Sequence, residues 1–331
     1  MGQTYKDAGV DIVAGEAAVS KISELARSTF SPNVLSGVGN FGAQYLFPQD
    51  RFDQPVLVSS TDGIGTKSIV AADAGKFDSI GEDLVNHCVN DILTTGAEPL
   101  FFLDYIGVGK LRLEEIHDIV KGLASACKKC ECSLIGGEMA EMPEIYGERH
   151  YDIVGTIVGV VERESLIDGA DIEKGDILIG LRSNGLHTNG FTLARKALLN
   201  RMDLDSYQDD LGSSLGEELL KIHRSYLPSL KPILKECEIR GLAHITGGGI
   251  VGNTNRIVGD KLTVEIDWNE WEPDAVFSLI QQAGKVPEEE MRHTFNMGIG
   301  FVIACRETDV DKITKMLGNL NEEYVIIGKI A

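Results

Sequence analysis

A chain of 331 residues exceeds the roughly 250–300 that one hydrophobic core usually serves, so two domains are expected. Charged residues at 25% and apolar ones at 43% are ordinary globular values, but a net charge of −20 argues against a basic nucleic-acid surface. With no leader-like apolar segment or run of about 18 apolar residues, and only six cysteines, the expectation is a cytoplasmic protein without a membrane span or disulfide framework.

In chain order, residues 1–13 contain Tyr5-Lys6-Asp7-Ala8-Gly9-Val10-Asp11, a polar, glycine-punctuated stretch that reads as a mobile arm. Residues 15–30 place Ala18, Ile22, Leu25 and Ala26 at a helical period. Gly37, Gly39 and Gly42 surround Phe41 in a turn-rich entry to a strand at 44–47. Residues 55–58 form a short β-branched strand, and 68–72 read as helical.

Between them lies Ser59-Ser60-Thr61-Asp62-Gly63-Ile64-Gly65-Thr66-Lys67. A strand that breaks at a glycine-flanked turn and becomes a helix gathers backbone N–H groups and the helix's positive end at one point. Lys67 adds a mobile cation, and Asp62 a carboxylate that would repel phosphate unless a divalent metal sits between them. This suits a Mg²⁺-nucleotide site, although the spacing is not that of a P-loop. A tight turn with a solvated lysine is the plainer alternative.

Residues 79–95 form a helix whose Ile80, Leu84, Cys88 and Ile92 recur every fourth residue. Asp83, Asn86, His87, Asn90 and Thr94 fall on its other side, and Asp91 on the border. A partly desolvated carboxylate there suits a metal or a hydrogen-bond partner, or is simply the edge of a polar face. Residues 99–107 are a strand with Asp104 isolated among apolar neighbours, and 111–129 a helix.

Cys127-Lys128-Lys129-Cys130-Glu131-Cys132 lacks the second Cys or His pair that a structural zinc site needs, and reads as free thiols. A strand at 132–135 ends in Gly136-Gly137-Glu138-Met139-Ala140-Glu141-Met142-Pro143. Its two carboxylates suit metal or substrate contact, or an ordinary solvated loop. A β run at 151–161 closes the first half.

Residues 162–176 are the least apolar mid-chain stretch, which sets the domains at 1–165 and 166–331. A strand at 177–181 leads through Ser183-Asn184-Gly185-Leu186-His187-Thr188-Asn189-Gly190 to a helix at 191–199. That turn offers N–H groups, a hydroxyl and an imidazole to an anion; N-capping by Thr188 or Asn189 explains it equally well. Residues 225–237 are helical, with Pro228 and Pro232 marking a start or kink.

A strand at 242–245 ends in Thr246-Gly247-Gly248-Gly249 before a helix at 250–258. Successive glycines there allow close backbone approach to a phosphate or substrate. Strands at 262–266, 299–304 and 324–330 alternate with helices near 275–283, 288–293 and 310–317. The whole is α+β, two α/β-type domains with helices on their sheets.

Read together, these motifs resemble the phosphoribosylformylglycinamidine cyclo-ligase (aminoimidazole ribonucleotide synthetase) family from about residue 5 to 330. The resemblance is carried by Tyr5–Asp11, Thr61–Lys67, Cys88-Val89-Asn90-Asp91, Gly96-Ala97-Glu98-Pro99-Leu100-Phe101-Phe102-Leu103-Asp104-Tyr105, Gly136-Gly137-Glu138, Ala140-Glu141-Met142-Pro143, His187–Gly190 and His244-Ile245-Thr246-Gly247-Gly248-Gly249. Met139 departs from it, standing where the family has threonine.

The resemblance implies an ATP-dependent enzyme of purine biosynthesis. It also implies a homodimer in which first-domain strands of two subunits form one barrel, the second domain being a sheet with helices packed outside. The nucleotide site would lie near the subunit interface. Asp62 and Asp91 would be Mg²⁺ ligands and Lys67 a phosphate contact, with Gly63, Gly65, Thr66 and Asn90 shaping the ATP site. His187, Asn189, Gly190 and Thr246, Gly247, Gly248, Gly249 are candidates for the substrate's 5-phosphate, and Asp104 or Glu141 for the proton acceptor. Another phosphotransferase of the same superfamily (selenophosphate synthetase, thiamine monophosphate kinase) and a non-catalytic nucleotide-binding dimer are the alternatives.

Overall fold

The computed structural model describes residues 12–331; the expected arm at 5–11 lies outside the described residues. Two compact units are distinguished. One holds the described residues up to Ile92 together with Glu98–Arg163, the other Leu93–Ala97 and Glu164–Ala331.

In chain order the first unit contains α1 (Ile12–Arg27), β1 (Pro55–Gly63), α2 (Lys67–Ala74), α3 (Asp78–Leu93), β2 (Glu98–Val108), α4 (Leu113–Lys129), β3 (Ser133–Glu141) and β4 (Tyr151–Glu162). Its sheet runs β1-β4-β2-β3, antiparallel except for the parallel β2–β3 pair. Period-two alternation gives the sheet two unlike faces. Phe102, Ile106, Ile153 and Ile157 are buried on the helix-covered face. On the other face Leu57 is 62% exposed, and Phe101, Leu103, Val154 and Val158 are only half-buried.

Two glycines bring α3 and α4 into backbone contact. A Cβ at Gly81 would lie 2.1 Å from the Ile119 carbonyl, and one at Gly122 1.9 Å from that of Asp78. The α4 C-terminus is a Schellman closure. Cys132 N–H donates to Cys127 O at 2.8 Å, Glu131 N–H donates to Lys128 O at 3.2 Å, and Glu131 is left-handed at φ 55°. Cys127, Cys130 and Cys132 are therefore buried packing residues at a helix end, all with free thiols.

Three expected boundaries differ. Residues 44–47 make a single bridge, Val34 to Tyr45, rather than a strand, Gln44 N–H donating to the Ser36 hydroxyl instead of to a ladder partner. β1 continues through Ser59–Asp62, since each residue pairs with β4. β3 likewise continues through Gly136 and Gly137 to Glu141, so those carboxylates sit on a strand and not on a loop.

The second unit contains β5 (Ile177–Arg182), α5 (Phe191–Leu198), β6 (Tyr207–Gln208), β7 (Ser213–Ser214), α6 (Leu215–Leu219), α7 (Leu227–Glu236), β8 (Gly241–His244), α8 (Gly249–Thr254), β9 (Val264–Ile266), α9 (Ala275–Gly284), α10 (Glu288–Thr294), β10 (Ile299–Cys305), α11 (Val310–Asn319) and β11 (Tyr324–Ile330). Its five-stranded sheet, β8-β10-β5-β11-β9, is antiparallel throughout.

β10 is buried along its whole length. Val302 and Ala304 join Ile245, Ile250, Trp271 and Ile327 in one core. The register puts Phe301 beside His244 and Leu181 on the opposite face, where Tyr226 packs at 5.2 Å between ring centroids. α6 opens with a Ser214–Glu217 capping box. Among the described residues no helix is long and apolar enough to cross a membrane.

Candidate functional site

Sheet register places the first unit's acidic groups. Asp62 of β1 pairs with Gly155 of β4, Gly155 with Asp104 of β2, and Asp104 with Gly137 of β3. The two aspartates therefore share a row and a face, two strands or about 10 Å apart.

Asp62 faces α3. His87 Nε2 lies 2.7 Å from its Oδ2, and Gly63 N–H donates to its Oδ1 at 2.7 Å. Its side chain is 38% exposed while that of His87 is 4% exposed. Burial raises the Asp62 pKa, but the hydrogen bond and charge of His87 outweigh it and hold the carboxyl below its usual range. Burial disfavours the imidazolium as well, yet Asp62 and then Asp91 raise the His87 pKa. Each partner thus favours the charged form of the other.

One turn further along α3, Asp91 accepts from Ser60 Oγ at 2.8 Å, and its carboxylate lies within 4.8 Å of a His87 ring nitrogen. Asp62 and Asp91 thus both reach His87, Asp62 from a partly exposed position, and carboxylate oxygens are the hard donors that Mg²⁺ takes. Asn90 is wholly buried.

Lys67 departs from expectation. It begins α2, is 0% exposed, and its Nζ lies 2.8 Å from Asp83 Oδ2, also 0% exposed. The anticipated mobile phosphate-binding cation is instead a buried ion pair, because α2 turns inward immediately after Gly65 and Thr66. Burial lowers the Lys67 pKa, and Asp83 partly restores it. For the same reason the polar side of α3 is buried, with Asp83, Asn86, His87 and Asn90 all inside.

Asp104 lines a cavity of about 730 Å³ with Tyr45, Phe101, Leu103, Met139 and the glycine loop at 37–43. The Tyr45 and Phe101 rings lie 5.2 Å apart. Burial pushes the Asp104 pKa up to about 7, a value suited to taking a proton at neutral pH. Glu141 is tied to the backbone instead, accepting from Leu111 N–H at 2.8 Å.

In the second unit, helix α5 is capped by Gly190, left-handed at φ 77°, with no side-chain cap. Capping by Thr188 or Asn189 is therefore not what holds that turn. His187 is buried with φ 62°. Asn296 ties the turn down, donating to Gly185 O at 2.9 Å.

The glycine turn at 246–249 is held by Asn253, whose Nδ2 donates to Thr246 O, Gly247 O and Gly249 O at 3.2, 3.3 and 2.9 Å. Gly248 is required by φ 102°, and Gly249 by φ 68° and by Arg292 O, 1.8 Å from any added Cβ. Gly247 has no such reason: the nearest atom to its Cβ position is Asn189 Oδ1 at 3.6 Å. The two turns therefore abut.

In the sequence His87, Asp83 and Ser60 are plain polar residues, and His223 stands outside every motif. His87 stands four residues before Asp91, a same-face spacing that would have found it.

The family models for AIR synthase related protein match residues 49–161 (N-terminal domain) and 173–331 (C-terminal domain). Phosphoribosylformylglycinamidine cyclo-ligases are similar over full length. That of Carboxydothermus hydrogenoformans is 49% identical over 99% of this chain and 96% of its own. That of Pseudothermotoga lettingae is 49% identical over 100% and 97%. Among solved structures, thiamine-monophosphate kinase of Stenotrophomonas maltophilia aligns with TM-score 0.71 at 16% identity, covering 94% of this chain and 93% of that one. Hydrogenase maturation protein HypE in complex with ATP aligns with TM-score 0.68 at 17% identity, over 96% and 86%. At such identities these two speak for the fold alone.

Proposed function

The chain belongs to the phosphoribosylformylglycinamidine cyclo-ligase family, and on that premise we propose how its residues divide the work of closing formylglycinamidine ribonucleotide to aminoimidazole ribonucleotide at the expense of ATP. The observation that carries the reading is 49% identity running the length of the chain.

The formyl oxygen is a poor leaving group until it is phosphorylated. It attacks the γ-phosphorus and ADP departs; a substrate nitrogen then attacks the formyl carbon, and phosphate leaves with the former oxygen. The nitrogen's proton must pass to a base. Positioning and charge stabilisation dominate such a transfer.

Asp62 and Asp91 would hold Mg²⁺, which neutralises triphosphate charge when bound. His87 supports this arrangement by keeping Asp62 ionised. Lys67 acts through Asp83, fixing the start of α2 and hence the 63–66 turn. Asp104 is the better proton acceptor of the two candidates, since Glu141 is engaged by backbone and Asp104 faces a cavity. The turns at 187–190 and 246–249 take the 5-phosphate, Gly247 being the glycine that folding does not demand.

A homodimer belongs to the same proposal. The half-exposed apolar face around Leu57, Phe101 and Val158 needs cover, and a second copy of the sheet would close it as a barrel. So does a cytoplasmic location, where a diffusible ribonucleotide and ATP are both met. ADP release measured with and without formylglycinamidine ribonucleotide tests the assignment. Release is expected only with it, and nucleotide binding without substrate-dependent turnover would overturn the reading.

A further inference from the structure

We propose that His223 is a positioning residue that locks the 187–190 and 246–249 turns into one phosphate subsite. The inference rests on the cyclo-ligase reading for the identity of the phosphate, though not for the geometry.

His223 is fully buried in the irregular segment before α7. Its Nε2 lies 3.1 Å from Nε2 of His244, at the end of the strand that leads into Thr246. Its Nδ1 lies 3.2 Å from Oγ1 of Thr188. Its ring stacks on that of His187 with centroids 4.1 Å apart and planes at 21°. The segment cannot drift, because Asn184 Nδ2 donates to Ile222 O at 2.7 Å and Arg224 Nη1 donates to Arg182 O at 3.2 Å.

Two imidazole nitrogens that meet must be one donor and one acceptor. With a neutral His223, only two polarities satisfy the chain. If His223 Nε2–H donates to His244, its Nδ1 accepts from the Thr188 hydroxyl. If His244 donates, His223 Nδ1–H donates to Thr188. In either case the tautomer of His244 and the direction of the Thr188 hydroxyl are set together. Buried polar groups make a broken chain costly. His223 thus couples the orientation of one turn to that of the other.

Substitutions separate this from simple packing. Asparagine places an amide near the Nδ1 position and keeps the Thr188 contact; glutamine reaches the Nε2 position and keeps that with His244; leucine keeps neither. His223→Leu is expected to raise KM for formylglycinamidine ribonucleotide about tenfold or more, leaving KM for ATP within about twofold. His223→Asn and His223→Gln should each recover part of that loss. Calorimetric binding of ribose 5-phosphate should weaken in the same order.

An unchanged ribonucleotide KM in His223→Leu would overturn the inference. So would a fall in kcat and a rise in both KM values that track only the loss of melting temperature. If leucine prevents folding, the asparagine and glutamine variants decide the matter: both must bind ribose 5-phosphate less tightly than the parent. A wild-type chain that binds ribose 5-phosphate but shows no substrate-dependent ADP release refutes the cyclo-ligase activity and leaves the His223 coupling standing.

Discussion

On the functional reading proposed above, the two units prepare for anionic ligands in opposite ways. In the first, side chains do the work: Asp62, Asp91 and His87 gather charge at one point, and Lys67 and Asp83 bury an ion pair beneath it. In the second, the backbone does it, through Gly190, Gly248 and Gly249 at positive φ and carbonyls held by Asn253. A charge-built site tolerates changes of volume and fails on changes of charge, whereas a backbone-built site does the reverse. The two should therefore respond differently to mild substitutions.

The largest expected effect is on stability. Lys67→Met strands Asp83 in the interior, at a cost of about 3–5 kcal/mol measured by urea unfolding. Adding Asp83→Leu should recover much of it; no recovery would show that the pair is not the reason. Next comes Asp62→Asn, which keeps shape and removes charge. It should lower kcat by about 10²–10³-fold, and lower the melting temperature as well, because the buried His87 loses its partner. Full ring-closing activity in that variant would end the charge-built description of the first unit.

In the second unit, Gly249→Ala forces a Cβ against Arg292 O and into a strained φ, costing about 1–3 kcal/mol. Gly247→Ala should cost less than about 0.5 kcal/mol in stability, since nothing lies closer than 3.6 Å, yet raise KM for the ribonucleotide. Equal effects of the two alanines on stability would break the contrast between a glycine needed for folding and one needed for binding.

A last effect is one of pH, spread over several units. Asp104 binds its proton more tightly folded, with a pKa near 7, than unfolded, near 3.8. Stability contributed by the protonated form is complete at low pH and declines as pH rises between those values, by at most about 1.4 kcal/mol per pH unit. Asp104→Asn should flatten that decline in melting temperature between about pH 4 and 7. A parallel curve for variant and parent would place the Asp104 pKa in the ordinary carboxylate range.

Much of this could be read from the chain because it is local. The four-residue recurrence of Ile80, Leu84, Cys88 and Ile92 marks α3, and the β-branched run at 151–161 marks β4. What could not be read depends on partners distant in sequence. Lys67 looked like a solvated cation because Asp83 lies sixteen positions on and reaches it only when α2 and α3 fold back together. Gly136 and Gly137 read as a loop because glycine is poor in strands; pairing with Leu103 and Asp104 overrides that preference. Ser59–Asp62 read as a turn for want of apolar residues, although its alternation suits a strand whose one face meets α3 and whose other face is open. His223 was invisible, since a lone histidine among Lys221, Ile222 and Arg224 forms no pattern until His244 and Thr188 come to meet it.

Because Asp62, Gly155, Asp104 and Gly137 occupy a single row, the reactive groups are indexed to strand pairing and not to the loops around them. Inserting or deleting one residue between Val58 and Asp62 would rotate Asp62 to the uncovered side of the sheet, away from His87, even if the β1–β4 ladder re-formed perfectly. Homologues of this chain should therefore vary freely in the length of the connections, and hardly at all in the count of residues along β1.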